Sequence, residues 1–140
     1  QQYNLIQDLS VLENVELPLV YQGVSADDRR EMALAALERV GLAERVKHRP
    51  TQMSGGQQQR VAIARAIAAN PSIVMADEPT GALDSRTGLE VLAFLQKLNR
   101  EGTTVILITH DNGIAATARR CVRLTDGRIV EDQVQEVDWL

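Results

Sequence analysis

The sequence predicts an α/β protein built on a parallel sheet, and three observations carry that reading. Two short apolar runs rich in β-branched residues, Ser72 to Ala76 and Thr104 to Thr109, have the length and composition of strands buried on both faces. Between them Leu89, Leu92, Leu95 and Leu98 recur at helical spacing, so strand, helix and strand form a βαβ unit with a right-handed crossover. Ahead of this unit, Leu9 to Asn70 reads almost entirely as helix and loop. The expected divisions are residues 1–70, 71–132 and a tail over 133–140.

Composition narrows the function classes. A chain of 140 residues is long enough for one real core, and its net charge of -4 argues against a dedicated nucleic-acid binder, which would cluster Lys and Arg. No run approaches the roughly 18 consecutive apolar residues of a spanning helix. The expectation is a soluble, intracellular protein. Cys121, the only cysteine, lies among Val122 and Leu124 and is expected to pack in the core of a protein from a reducing compartment. The chain opens on Gln1 rather than Met, with Tyr3, Leu5 and Ile6 close behind, which suggests a piece of something longer.

In the helical half, Ser10 and Glu13 fit a capping box, starting a helix that Pro18 should end or kink. Tyr21 to Val24 reads as a connector. Ser25 caps a second helix, with Asp27 and Asp28 in its first turn and a stripe of Met32, Ala33, Ala36, Leu37 and Val40; Gly41 stops it. Leu42 to Gln52 is polar and basic around Pro50 and reads as a surface loop in which His48 is solvated.

A third helix follows, with Val61, Ala64, Ile67 and Ala68 on its apolar side and Asn70-Pro71 at its end. It begins at Met53-Ser54-Gly55-Gly56-Gln57. Two readings of that start stand side by side. Ser54 with Gln57 is a capping box that needs no ligand, while glycine-exposed backbone N–H groups at the positive end of a helix dipole suit phosphate.

Beyond the first strand, Asp84 or Ser85 caps the leucine-striped helix and Gly102 stops it. After the second strand come His110-Asp111, a short helix from Gly113 to Arg119, a strand from Cys121 to Thr125, and a hairpin through Asp126-Gly127 into Arg128 to Glu131. The acidic tail with its Trp139 suggests nothing further.

Parallel strands deliver their carboxyl ends to one edge, so Asp77, Glu78 and His110 should gather within reach of one ligand. Standing alone, Asp-Glu after an apolar strand would be a solvated strand end. A carboxylate in that place also suits Mg²⁺ held through water, with its neighbour orienting or deprotonating an attacking water and a histidine meeting a terminal phosphate.

The motifs in order carry a resemblance. MSGGQQQR, from Met53 to Arg60, is similar to the signature motif of ATP-binding-cassette (ABC) ATPases, with Met53 where Leu is usual. SIVMADEPTGALDS, Ser72 to Ser85, resembles their Walker B strand and D-loop, VILITHD their H-loop, and Gln1-Gln2-Tyr3-Asn4-Leu5 their Q-loop. The resemblance implies the carboxyl-terminal part of a P-loop NTPase (RecA-like) core joined to the ABC α-helical subdomain. It implies ATP and Mg²⁺ as cofactors, Asp77 and Gln1 toward the metal, Glu78 and His110 as catalytic residues, and a membrane permease as partner. It also implies that Ser54, Gly55, Gly56, Gln57 and Asp84 face a second ATPase subunit in a head-to-tail dimer, the helix start meeting the γ-phosphate held there. The wording ADEPTGALDS is most similar to ATPases of lipoprotein-release, macrolide-export and antimicrobial-peptide-resistance transporters, placing the protein on the inner face of the cell membrane. Superfamily branches that act on DNA insert long coiled coils, for which residues 9–52 are too short.

One departure matters. No G-x-x-x-x-G-K-[ST] phosphate loop occurs in these residues. The expectation is that the isolated chain neither binds ATP tightly nor hydrolyses it, and that an unpaired strand edge beside Val105 to Thr109 invites self-association. An interaction module that docks to a permease or partner is the alternative.

Overall fold

A computed structural model describes residues 3–137 and 139–140. Its first half is a bundle of three helices, α1 (Val11–Tyr21), α2 (Ala26–Arg39) and α3 (Gly55–Ile67), each started by a serine whose hydroxyl accepts an N–H of the first turn. Val11, Val15, Leu19, Leu37 and Val61 are fully buried between them. Each such side chain contributes about 1.5–3 kcal/mol. Asn14 is the polar exception. Fully buried, it accepts from Ile6 N at 2.8 Å and donates to the carbonyls of Ile6, Leu9 and Ser10, pinning the segment that enters α1.

Two expectations change here. Of the two outcomes expected at Pro18, it does not end α1, which continues to Tyr21; burial of Leu19 on that final turn, about 1.5–3 kcal/mol, offsets much of the proline penalty of about 3 kcal/mol. Residues 42–52 are not simply a surface loop. They form two short 3₁₀ turns, Ala43–Arg45 and Pro50–Gln52, with Leu42 and Pro50 buried. The carbonyls of His48 and Val46 accept the N–H groups of Val11 (2.7 Å) and Leu12 (3.1 Å), satisfying donors that the first turn of α1 leaves open.

The second half holds the expected unit of β1 (Ile73–Asp77), α4 (Ser85–Arg100) and β2 (Thr104–Ile108), its strands parallel with Ile73 opposite Thr104 and Asp77 opposite Ile108. Helix α4 buries Val91, Leu92, Leu95 and Leu98; Leu89 turns outward instead. The strands are buried on one face only. Val74 is covered, whereas Ile73 and Met75 are 55% and 67% exposed and Ile106 and Ile108 lie open on the same side of the neighbouring strand, because no described residue covers that side. The sheet consists of these two strands, so each keeps an unpaired edge among the described residues.

A single turn, α5 (Asn112–Ala115), replaces the longer helix expected over 113–119. A separate antiparallel hairpin then pairs β3 (Arg120–Thr125) with β4 (Arg128–Val134), the second strand running past Glu131. Asp126 and Gly127, at φ 50° and 73°, supply the two left-handed positions that a tight hairpin turn requires. Cys121 is half-buried on this hairpin rather than in the core. In the tail, Trp139 stacks with the guanidinium groups of Arg100 and Arg119, each 4.8 Å from the ring centre. No helix among the described residues is long and apolar enough to cross a membrane.

Candidate active site at the strand edge

Because Asp77 and Ile108 are register partners, the residues that follow them leave the sheet side by side. Glu78 turns sharply at φ 45°, donating its N–H to Ile108 O at 2.9 Å. Its carboxylate accepts three hydrogen bonds: from His110 Nδ1 at 2.6 Å, His110 N at 2.8 Å and the Thr109 hydroxyl at 3.2 Å. The His110 side-chain bond, and then its backbone bond, hold the Glu78 carboxyl below the usual carboxylate range.

An ionised carboxylate only accepts, so the proton of the shared bond lies on Nδ1. That leaves Nε2 as the free end of a ring whose side chain is 85% exposed, against 20% for Glu78. Thr109 is fixed in turn by Asp111 N, which donates to its hydroxyl at 3.1 Å, while the Asp111 carboxylate caps α5. Asp77 lies exposed beside Glu78 at the end of β1.

The expected phosphate-facing residues form a second cluster. Ser54 and Gln57 complete a reciprocal capping box, with Gln57 N to Ser54 Oγ at 3.2 Å and Ser54 N to Gln57 Oε1 at 3.0 Å. Gly55 is exposed, and Gly56 is pressed against α4 so closely that a Cβ would lie 2.4 Å from Thr87 Cγ2. Asp84 caps α4 through Thr87 N (3.1 Å) and the Thr87 hydroxyl (2.6 Å), contacts that hold its carboxyl below the usual range. Thus Thr87 brings Asp84 to the start of α3.

No hydrogen bond runs from Ser54, Gly55, Gly56 or Gln57 to Glu78 or His110 among the described residues. The clusters are tied through Gln59, whose Nε2 donates to Pro79 O at 2.9 Å. Thr109, Thr87 and Gln59 were missed by sequence reasoning, although Thr109 was legible as the residue that β2 delivers next to Glu78. Gln1 lies outside the described residues.

No group of three or more His, Cys, Asp or Glu that could hold a metal occurs among the described residues. The exposed Asp77 beside Glu78 fits instead a hard cation that takes one or two carboxylates and completes its shell with water and phosphate oxygens.

Residues 1–81, more than half of the chain, match the ABC transporter family. The chain belongs to that family. It is 55% identical over 133 residues to a macrolide export ATP-binding/permease protein MacB 1/2 of Paracoccus denitrificans (strain Pd 1222), covering 95% of this chain and 20% of that protein. It is 54% identical over 135 residues to the MacB of Bordetella avium (strain 197N), covering 96% and 21%. The chain thus spans about a fifth of the length of these ABC relatives.

Among solved structures, the dimeric bacterial ABC transporter cassette MJ0796 superposes with a TM-score of 0.81 at 49% identity, over 96% of this chain and 60% of that one. A dimeric post-hydrolysis state of the same ATP-binding cassette, bound to ADP and Pi, gives 0.80 at 47%, with the same coverage. The fold is therefore that of the ABC ATPase cassettes, a P-loop NTPase fold.

Proposed function

We propose that this chain supplies the signature, Walker B, D-loop and H-loop part of an ABC transporter ATPase that couples ATP hydrolysis to transport. The observation that carries this reading is the bond between Glu78 and His110 at the edge where β1 and β2 end. In this proposal residues 1–70 hold the Q-loop and helical subdomain, 71–132 the carboxyl-terminal part of the core, and 133–140 a tail.

Mg²⁺, when bound with ATP, neutralises charge on the phosphate oxygens, and Asp77 would hold it with Gln1 nearby. Glu78 is ionised at neutral pH and able to take a hydrogen bond from the attacking water. Held by His110 and Thr109, it would act as the general base or the water-orienting carboxylate. His110 keeps Glu78 in place through Nδ1 and offers Nε2 to the γ-phosphate. Ser54, Gly55, Gly56, Gln57 and Asp84 would meet the nucleotide and surface of a second ATPase subunit, and a permease would anchor the assembly at the inner face of the cell membrane. Macrolide export, for which the MacB relatives are named, is a candidate direction and cargo.

The decisive variant is Glu78→Gln in a cassette that joins this chain to a phosphate loop. ATP binding is expected to persist while hydrolysis falls steeply; loss of binding would give Glu78 a structural role instead. Taken as a purified 140-residue polypeptide, the chain has no G-x-x-x-x-G-K-[ST] and an open apolar sheet face. As such it is proposed to self-associate and to lack tight ATP binding, behaving as an interaction module. A monomer with normal Mg-ATP turnover would refute that second reading.

A further inference from the structure

The signature helix α3 carries an arginine that the site described above does not use. Arg65 stands in the apolar run VAIARAI, is half-buried, and directs its guanidinium fork at backbone. Nη2 donates to Tyr3 O and Nη1 to Asn4 O, both at 2.9 Å. Burial lowers its pKa, so the contact replaces water around a charge that gives up hydration to be there. Successive carbonyls of an extended chain point to opposite sides. Both face Arg65 because Asn4 adopts φ 53°, a left-handed turn that sets neighbouring peptide groups roughly parallel. The fork and the turn are therefore one device, and a lysine, with a single ammonium, cannot reproduce it.

Tyr3 extends that device along the helix. While its carbonyl is held by Arg65 near the end of α3, its phenol oxygen lies 3.3 Å from where a Cβ of Gly55 would be, at the helix start. Tyr3 is thus bonded to α3 near its end and lies beside its start, where it leaves Gly55 little room for a side chain.

We infer that Tyr3, Asn4 and Arg65 are positioning residues that set the start of α3, and with it Ser54 and Gly55, according to the position of the segment two residues after Gln1. This rests on the role proposed above for Ser54 and Gly55 toward a second subunit's phosphate. The clamp lets a shift of the opening segment reach the helix start through a rigid helix and one ring.

Two measurements test this separately. In the 140-residue chain, Arg65→Lys should raise amide hydrogen exchange several-fold both at residues 3–6 and at 55–58, with α2 unchanged. Asn4→Val, which disfavours the left-handed turn, should do the same, Asn4→Gly should not, and the Arg65→Lys and Asn4→Val effects should not add. Unchanged exchange at 55–58 would overturn the clamp whatever the chemistry. In the cassette joined to a phosphate loop, Arg65→Lys should lower kcat about tenfold with KM for ATP little changed, since the helix start is misplaced while nucleotide binding is intact. A raised KM at constant kcat would overturn the transmission. If Glu78→Gln left hydrolysis intact in the same cassette, the catalytic reading would fail while the exchange result still decided the clamp.

Discussion

The two halves of this molecule solve the burial problem differently. The helices α1, α2 and α3 pack around a core that continues into Val74, Val91, Leu95 and Leu98, with even the polar Asn14 fully satisfied. The strands cover one face with α4 and leave Ile73, Met75, Ile106 and Ile108 in the open, while the hairpin exposes Leu124, Ile129 and Val134. The helical half exposes Ile6, Val20 and Tyr21, while the strand half exposes a longer row of apolar side chains on both its sheet and its hairpin. The site residues sit where the halves meet, at the start of α3 and the end of β1, with Gln59 crossing between them.

Four measurements would break or sharpen that contrast. The largest effect is expected for Leu37→Ala, which removes a fully buried side chain from the helical core and should cost about 2–5 kcal/mol in urea unfolding. Next is Asn14→Ala, which strands the Ile6 N–H and the Leu9 carbonyl, since the Ile6 and Ser10 carbonyls keep the backbone N–H groups of Leu9 and residue 14; about 1–3 kcal/mol is expected, with faster exchange at Ile6.

The third concerns pH. Glu78 and Asp84 have folded-state pKa values below their unfolded ones, so each adds stability above the unfolded carboxylate pKa that is lost as pH falls through the folded one. Melting temperature should therefore drop below about pH 4, and Glu78→Gln should flatten that slope. The smallest effect belongs to Met75→Ala. At 67% exposure it should change stability by no more than about 0.5 kcal/mol, and a cost comparable to that of Leu37→Ala would erase the distinction between the halves.

Much of this was legible in the sequence because it is local. The caps at Ser10, Ser25 and Ser54, the turn at Asp126-Gly127 and the existence of the two strands depend on neighbours within a few residues and formed as read, and of Asp84 and Ser85 it is Asp84 that caps α4. Glu78 and His110 were brought together by the simple rule that parallel strands end at one edge. What failed was decided at a distance. Pro18 is tolerated because Leu19 is buried against other helices, and residues 42–52 are ordered because their carbonyls cap α1 from more than thirty residues away. The expectation of a strand buried on both faces assumed a cover that the described residues do not supply. Thr87 and Gln59 act through hydrogen bonds that spacing alone does not reveal, whereas Thr109 could have been found as the residue that β2 delivers next to Glu78.

The backbone of Glu78 carries a last consequence. Its φ of 45° is a conformation in which glycine and asparagine rest easily and a long side chain does not. At position 78 two folding terms therefore oppose each other: Glu78→Gly would relax the turn but remove the carboxylate that accepts from His110 and Thr109. The net change in stability of that variant should be smaller than either term, whereas its catalytic consequence has no such offset.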